Sequence, residues 1–229
     1  LHETKTGSFL TRSSTYTNNE TGAIIDYFEV EVVAIEKQMY PDLPATTLYT
    51  YDGVQPGPTF MMQKGRRKPK LVHFWYSALT FSSRGRSTIH QQQPNELFSH
   101  VHGQYNRAPF DGWAADYALP GQYKDYYYPN SQNARTIWYH VSYLLVLECP
   151  LFQLLLTISG HTEYLTAKNV YKGLEGFYII TDEEEQALKL PSGDYDIPLS
   201  VSAKQYDTDG SLVDEEDDGT GLWGDVIQV

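Results

Sequence analysis

Residues 100–140 read HVHGQYNRAPFDGWAADYALPGQYKDYYYPNSQNARTIWYH, and this stretch decides the fold. It begins with two histidines, His100 and His102, at positions i and i+2. Side chains two residues apart on a β-strand face the same side of the sheet, so the pair can present two imidazoles to neighbouring metal ions. An HxH pattern alone often arises by chance, and its meaning therefore depends on the sequence around it.

Short strands and turns are predicted on both sides of this stretch. Residues 24–35 (IIDYFEVEVVAI) alternate acidic and apolar side chains, as in a strand with one buried face. Further strands are predicted over residues 48–51, 59–63, 71–76, 99–102, 125–128, 136–140, 176–181 and 196–203. A capping box that starts at Thr181 predicts a short helix to about Lys189, and residues 208–210 predict a hairpin turn. Residues 1–23 are polar and without a period, and residues 64–70 (KGRRKPK) predict a solvated loop.

Composition limits the classes of function. The 229 residues are 41% hydrophobic, which is ample for a buried core. The formal net charge of −12 disfavours binding to nucleic acid or to an anionic membrane surface. No stretch reaches the roughly 20 apolar residues of a membrane span. The single cysteine, Cys149, rules out an internal disulfide framework and a four-cysteine zinc site.

The stretch from His100 to His140 resembles the first cupredoxin domain of multicopper oxidases, and most of all the bilirubin oxidase and spore-coat laccase group. The similarity continues in order through residues 43–46 (LPAT), 51–59 (YDGVQPGPT), 169–176 (NVYKGLEG) and 190–198 (LPSGDYDIP). The resemblance implies an all-β fold, a Greek-key β-sandwich of the cupredoxin (plastocyanin-like) type.

The resemblance also implies a division of the chain. We expect an irregular N-terminal lead-in over residues 1–27 and a first cupredoxin-like domain over residues 28–182. A short helix and linker over 183–194 would lead into residues 195–229, the start of a truncated second cupredoxin domain. The chain would then be a fragment of a longer oxidase.

Copper ligands follow from the same resemblance. In the family, HxH motifs supply a trinuclear copper cluster that reduces dioxygen to water, and imidazole suits copper. By that pattern His100 would bind the type 2 copper, and His102 and His140 would bind type 3 copper. His161 would be the fourth ligand from this chain. No other catalytic residue is assigned, and His2, His73 and His90 have no partner at ligand spacing.

One segment departs from the family pattern, which reads W-Y-H-D-H. Here His140 is followed by residues 141–159 (VSYLLVLECPLFQLLLTIS) before Gly160 and His161. Omitting them leaves WYHGHTEYLTA, which restores two histidines two residues apart on one strand. We therefore predict an aberrant insertion, such as a retained intron or a gene-model error. The alternative is a genuine hydrophobic excursion, such as a short helix. The family's aspartate, expected to assist proton delivery, is missing.

Electron entry would lie outside these residues. The family's type 1 copper thiolate sits between two histidines of the last domain, whereas Cys149 sits inside the predicted insertion. The parent protein would oxidise phenols, aromatic amines or tetrapyrroles with dioxygen as acceptor, and this chain alone would be inactive. The family resemblance also implies secretion. Two alternatives remain: a non-catalytic cupredoxin-like protein that binds copper or nothing, and a carbohydrate-binding protein with a Tyr- and Trp-rich surface.

Overall fold

The computed structural model describes residues 14–17, 19–20, 22, 24–64, 70–76, 97–113, 116–119, 121–143, 161–214 and 224–229. Strands dominate these residues. The strands are β1 (Ser14–Thr17), β2 (Ile24–Lys37), β3 (Thr46–Tyr51), β4 (Gly57–Gln63), β5 (Lys70–Tyr76), β6 (Leu97–His102), β7 (Tyr123–Tyr128), β8 (Arg135–Tyr143), β9 (Glu175–Thr181), β10 (Ser202–Lys204) and β11 (Val226–Gln228). The helices are α1 (His161–Tyr171) and α2 (Glu183–Ala187), and short 3-10 turns cover Ala108–Phe110 and Gly193–Tyr195.

Two sheets form the body of the fold. One has the strand order β1-β2-β5-β7, with β3 paired to the second half of β2, and the other has the order β4-β9-β8-β6. The pairs β2–β5 and β4–β9 are parallel, and the other pairs within these two sheets are antiparallel. Strands β10 and β11 make a small separate sheet. The predicted all-β sandwich is confirmed.

The core lies between the two large sheets. On β2 the apolar residues Phe28, Val30 and Val32 are buried, whereas Glu29 and Glu31 are exposed, as the alternation predicts. Burying one such apolar side chain stabilises the fold by about 1.5–3 kcal/mol. The same core contains five fully buried tyrosines from both sheets: Tyr51, Tyr126, Tyr128, Tyr139 and Tyr178.

The predicted helix after β9 is present, and it starts slightly later than the sequence pattern indicates. Asp182 is the N-cap of α2, and its carboxylate accepts a hydrogen bond of 2.9 Å from the Glu185 backbone N–H. The same carboxylate accepts 2.9 Å from the backbone N–H of Ala134, just before β8. One aspartate therefore satisfies an open helix end and fixes the helix to the sheet.

The structure corrects two predictions and adds one element that was not predicted. The N-terminal lead-in is not wholly irregular, because Ser14–Thr17 pair with the start of β2. Residues 196–201 are not strand; only Ser202–Lys204 pair, with β11, and the apolar side chains of Ile197, Leu199 and Val201 are exposed. Helix α1 was not predicted at all. The predicted loop over residues 64–70 lies mostly outside the described residues.

A smaller cluster joins α1 to the segment after β10. Leu48, Tyr171 and Leu212 are buried together, and the predicted turn near residues 208–210 closes between the backbone groups of Asp207 and Gly210 at 2.9 Å. Within the described part of the chain, no helix has the length and apolar character needed to cross a membrane.

Candidate metal centre

Strand register brings histidines from distant parts of the sequence together. Strands β6 and β8 pair antiparallel, with His100 opposite His140 and His102 opposite Trp138. The alternate residues of these strands are buried in the core: Leu97, Ser99 and Val101 on β6, and Tyr139 and Val141 on β8. Because strand side chains alternate between faces, the histidines stand together on the outer face of the sheet.

The three imidazoles form a compact cluster. The ring centroids of His100 and His102 are 5.6 Å apart, those of His100 and His140 5.5 Å, and those of His102 and His140 5.9 Å. One ring nitrogen from each histidine lies within 4.8 Å of the others. This spacing allows the three nitrogens to bind one metal ion or two neighbouring ions.

Asp111 orients the ring of His100. The Nδ1 of His100 forms a hydrogen bond with the backbone carbonyl of Asp111, and one carboxylate oxygen of Asp111 lies 3.6 Å from the same nitrogen. Because a carbonyl oxygen only accepts hydrogen bonds, Nδ1 carries the proton and Nε2 keeps its lone pair. A partner on the second nitrogen is the usual way in which proteins fix a metal-binding histidine.

Gly112 allows this contact to form. Its φ of +81° lies in the left-handed region, and a Cβ there would come within 2.4 Å of the Ser99 carbonyl oxygen and 3.1 Å of the His100 Cβ. A residue with a side chain would therefore push the segment away from β6. Sequence reasoning missed Asp111 as a site residue, although the Asp-Gly pair is a signal for a special turn.

His140 is the most buried of the three, with 6% of its surface exposed. Burial, followed by the nearby His100 and His102, lowers the pKa of His140 to about 4. The ring is therefore neutral at physiological pH. Its Nδ1 makes no hydrogen bond of normal geometry among the described residues, although the Val141 backbone lies close enough to raise the pKa of the ring slightly. A buried, neutral imidazole is suited to metal binding, since a metal ligand must be deprotonated.

Trp138 forms one wall of the cluster. Its indole lies parallel to the His102 ring at 5.4 Å, and its centroid is 4.4 Å from that of His140. The indole also lines a shallow cleft of about 240 Å³ together with Phe177, Leu199 and other residues. The sequence could have indicated Trp138 as a residue of this site. Trp138 lies two residues before His140, and side chains two residues apart on a strand share a face.

The fourth predicted ligand lies elsewhere in the secondary structure. With residues 141–159 present, His161 is not on the strand of His140 but is the first residue of α1, which packs against β8, and its side chain lies outside the described residues. Strand β8 instead continues through residues 141–143, and Val141 is fully buried opposite Ser99. Residues 144–160, with Cys149, lie outside the described residues, as do His2 and His90. His73 lies on β5, in the opposite sheet.

Comparisons with known proteins agree with this geometry, although no protein-family model matches the chain. The chain is 41% identical to bilirubin oxidase of Albifimbria verrucaria over 217 aligned residues. The aligned region covers 94% of this chain and 32% of the bilirubin oxidase. The chain is 33% identical over 200 residues to a laccase of Bacillus stratosphericus, covering 81% of this chain and 35% of the laccase. The chain belongs to the multicopper oxidase family. It spans about a third of the length of these relatives.

Solved multicopper oxidases have the same fold. The structure of the enzyme from Pediococcus acidilactici superposes with a TM-score of 0.70 at 24% identity, over 97% of this chain and 39% of that one. The multicopper oxidase from Campylobacter jejuni gives a TM-score of 0.69 at 18% identity, over 97% and 38% of the two chains. The sandwich is therefore a cupredoxin-like domain.

Membership of the multicopper oxidase family implies copper cofactors, and the cluster fits them. Its donors are imidazoles, which suit copper. One ring nitrogen from each of His100, His102 and His140 lies within 4.8 Å of the others, on one face of the sheet.

Proposed function

We propose that this chain supplies half of the protein ligands of a trinuclear copper centre in an oxidase that reduces dioxygen to water. His100 would bind the type 2 copper, and His102, His140 and His161 would bind type 3 copper. The observation that carries the proposal is the cluster of three imidazole nitrogens within 4.8 Å of one another. Copper bound there supplies the one-electron steps of dioxygen reduction.

The chain's own residues would prepare this site before metal arrives. His140 stays neutral because burial lowers its pKa to about 4, so no proton has to leave this ring when a metal binds near pH 7. The Asp111 carbonyl holds the proton of His100 on Nδ1 and directs Nε2 away from itself. Trp138 covers one side of His102 and His140 and keeps water from that side.

For the whole protein we propose small aromatic electron donors: phenols, aromatic amines or tetrapyrroles. The names of the relatives, bilirubin oxidase and laccase, support this proposal. The type 1 site, through which electrons enter in this family, needs a cysteine thiolate between histidines. The only cysteine of these 229 residues, Cys149, has Glu148 and Pro150 as neighbours. Residues 1–229 alone are therefore expected to hold no type 1 site.

We also keep the predicted division of the chain and its secretion as proposals. The first cupredoxin domain would span residues 28–182, and residues 195–229 would begin a second one; the separate β10–β11 sheet supports that boundary. The proposed aberrant insertion spans residues 141–159, of which residues 141–143 extend β8. Transcripts that run through the codons for residues 141–159 in most messages would contradict it.

Copper content tests the ligand proposal directly. The purified chain is reconstituted with Cu(II), dialysed and analysed for copper per chain. His100→Ala and His140→Ala should each lower the copper content strongly. His73→Ala, which removes an imidazole from the opposite sheet, should leave it unchanged. Equal copper content in all four proteins would overturn the proposal.

Oxygen consumption separates an oxidase from a non-catalytic copper protein. The copper-loaded 229-residue chain should consume no oxygen with a phenolic dye, because electrons lack an entry site. A longer protein that contains this chain and an H-C-H motif should consume oxygen under the same conditions. If that longer protein is loaded with copper and remains inactive, the non-catalytic reading is correct.

A further inference from the structure

His102 differs from the other two histidines of the cluster in what holds its ring. The His100 ring bonds to the Asp111 carbonyl, and His140 is buried. The His102 ring is exposed and stacks on the indole of Trp138, and no hydrogen bond to a described residue holds it. His102 is also the last residue of β6. The position of its ring therefore depends on how the chain is held just beyond the strand.

The chain turns away from the sheet directly after His102. Gly103 has a φ of +88°, in the left-handed region, and the Gln104 N–H donates a 3.3 Å hydrogen bond to the Val101 carbonyl. Among the described strands, none pairs with residues 103–105. The Gly103 carbonyl and the Tyr105 N–H therefore need partners other than the backbone of a neighbouring strand.

One side chain supplies both partners. Gln132 lies in the segment between β7 and β8, and it is 2% exposed. Its Nε2 donates a 3.0 Å hydrogen bond to the Gly103 carbonyl, and its Oε1 accepts one of 2.6 Å from the Tyr105 N–H. The amide of Gln132 thus bonds one acceptor and one donor of the turn, as a residue of a paired antiparallel strand would.

Two further buried amides tie the turn to the core. Gln104 Nε2 donates a 2.8 Å hydrogen bond to Asn130 Oδ1, and the same oxygen accepts one of 2.6 Å from the Tyr178 hydroxyl on β9. Asn130 has a φ of +49°, a left-handed conformation that asparagine adopts more readily than most residues. A buried network of satisfied polar groups favours a single conformation, so the turn after His102 should be rigid.

We propose that Gln132 is a positioning residue for His102, and that Gln104 and Asn130 complete the clamp that keeps His102 in the imidazole cluster. The inference rests on the proposed copper function, in which His102 is a ligand. Gln132 acts through the turn over residues 103–105. Without its two hydrogen bonds the turn bonds to water instead, and the His102 ring leaves its stacked position on Trp138 for part of the time.

NMR of the copper-free chain tests the clamp without any metal. Gln132→Met keeps the length of the side chain and removes both hydrogen bonds. The Trp138 indole, parallel to the His102 ring at 5.4 Å, should shift the His102 ring-proton signals away from those of free histidine. In Gln132→Met these signals should move toward the free value, and the Tyr105 amide should exchange with solvent about 10-fold faster. Unchanged His102 signals in a folded Gln132→Met protein would overturn the proposal, even if the amide exchanges faster.

A second variant and a matched control complete the NMR test. Gln104→Met removes the bond to Asn130 and leaves Gln132 in place. It should shift the His102 signals in the same direction by a smaller amount. If Gln132→Met does not fold, unchanged His102 signals in Gln104→Met overturn the proposal.

Thr46→Val is the control, because it removes a buried 2.7 Å hydrogen bond from a side chain of the other sheet to the Gly210 carbonyl. This variant should leave the His102 signals unchanged. A shift as large as that of Gln132→Met would mean that any loosening of the fold moves the ring, and it would overturn the specific role of Gln132.

Copper titration separates this inference from the proposed function. Gln132→Met should bind Cu(II) about 10-fold more weakly than the unmodified chain, as expected for a residue that supports a metal ligand. Thr46→Val should bind it with unchanged affinity. Equal affinities of Gln132→Met and the unmodified chain would overturn the positioning role. If the unmodified chain binds no copper, the proposed function fails, and the His102 signals still decide whether the clamp holds the ring.

Discussion

At Gly112 the backbone passes so close to β6 that a single methyl group has no room. The left-handed φ of +81° and the 2.4 Å approach to the Ser99 carbonyl act together, and the neighbouring Asp111 holds His100. The orientation of one imidazole thus depends on the absence of a side chain twelve residues later in the sequence. No spacing rule for metal ligands would have found this residue.

We expect Gly112→Ala to lower both stability and copper affinity. The left-handed backbone and the clash together should cost about 3 kcal/mol of unfolding free energy. Displacement of Asp111 should free the His100 ring and weaken copper binding. Urea unfolding measures the first effect and copper titration the second.

Gly121→Ala is the matched control for that experiment. Gly121 has nearly the same φ, +82°, but a Cβ there would meet nothing within 4 Å. Its substitution should cost only the backbone strain, about 1 kcal/mol, and leave copper binding intact. Equal losses in the two variants would show that the contact with β6 is unimportant.

At the level of elements, Asp182 joins α2 to β8. Hydrogen bonds from the backbone N–H groups of Glu185 and Ala134 lower the pKa of Asp182 below its usual value. A carboxylate with a lowered folded-state pKa adds stability that is complete above the unfolded pKa of about 3.9. This contribution disappears as the pH falls through the folded pKa.

Asp182→Asn should therefore be less stable than the unmodified chain near neutral pH, and the difference should shrink in acid. Urea unfolding at pH 7 and at about pH 2.5 measures it. The exposed Glu183→Gln, on the same helix, should not reproduce this pH-dependent difference. A difference for Asp182→Asn that is the same at both pH values would mean that the charge plays no part.

Helix α1 is attached to the segment after β10 by ionic contacts. The Asp214 carboxylate lies 3.2 Å from the Lys168 ammonium and 2.5 Å from that of Lys172, and all three side chains are less than one-fifth exposed. Asp214→Asn removes the carboxylate that Lys168 and Lys172 share, and it leaves the two ammonium groups close together. We expect it to lower the unfolding free energy by about 2 kcal/mol.

Asp116→Asn is the control for Asp214→Asn. Asp116 pairs with Lys124, but 52% of the Asp116 side chain is exposed. Exposed ion pairs contribute little, about 0–1 kcal/mol. If urea unfolding gives both variants the same small loss, the contact between α1 and residue 214 adds nothing beyond a surface pair.

At the scale of the whole molecule, copper and folding should be coupled. The cluster joins β6 to β8 from the solvent side, and it exists only when the strands are paired. A ligand that binds only the folded state, at 100 times its Kd, stabilises that state by about 2.7 kcal/mol. We expect copper to raise Tm by about 5–10 °C and a chelator to reverse the rise. The variant with His100, His102 and His140 all changed to alanine should gain nothing; an equal gain would place the copper elsewhere.

Much of the sandwich could be predicted from the sequence. The alternation over Phe28–Val32 and the HxH pattern depend on strand geometry, which is local. Helix α1 could not be predicted, because its segment has a weak apolar pattern and begins after residues that resemble no part of the family. Two contacts of the site could not be predicted in this way: the one between Asp111 and His100, and the pairing of His100 with His140. Each joins residues that only the folded structure brings together.

Strands β6 and β8 present the core on one face and the histidines on the other. Neighbouring positions of one strand thus have different surroundings: residues 97, 99, 101, 139 and 141 pack in the core, and residues 100, 102, 138 and 140 form the histidine cluster and its wall. If copper binds there as proposed, the substitutions that related proteins tolerate should alternate with a period of two along these strands. For protein engineering, donor atoms on the outer face could be exchanged, for example imidazole for thiolate, without redesigning the interior.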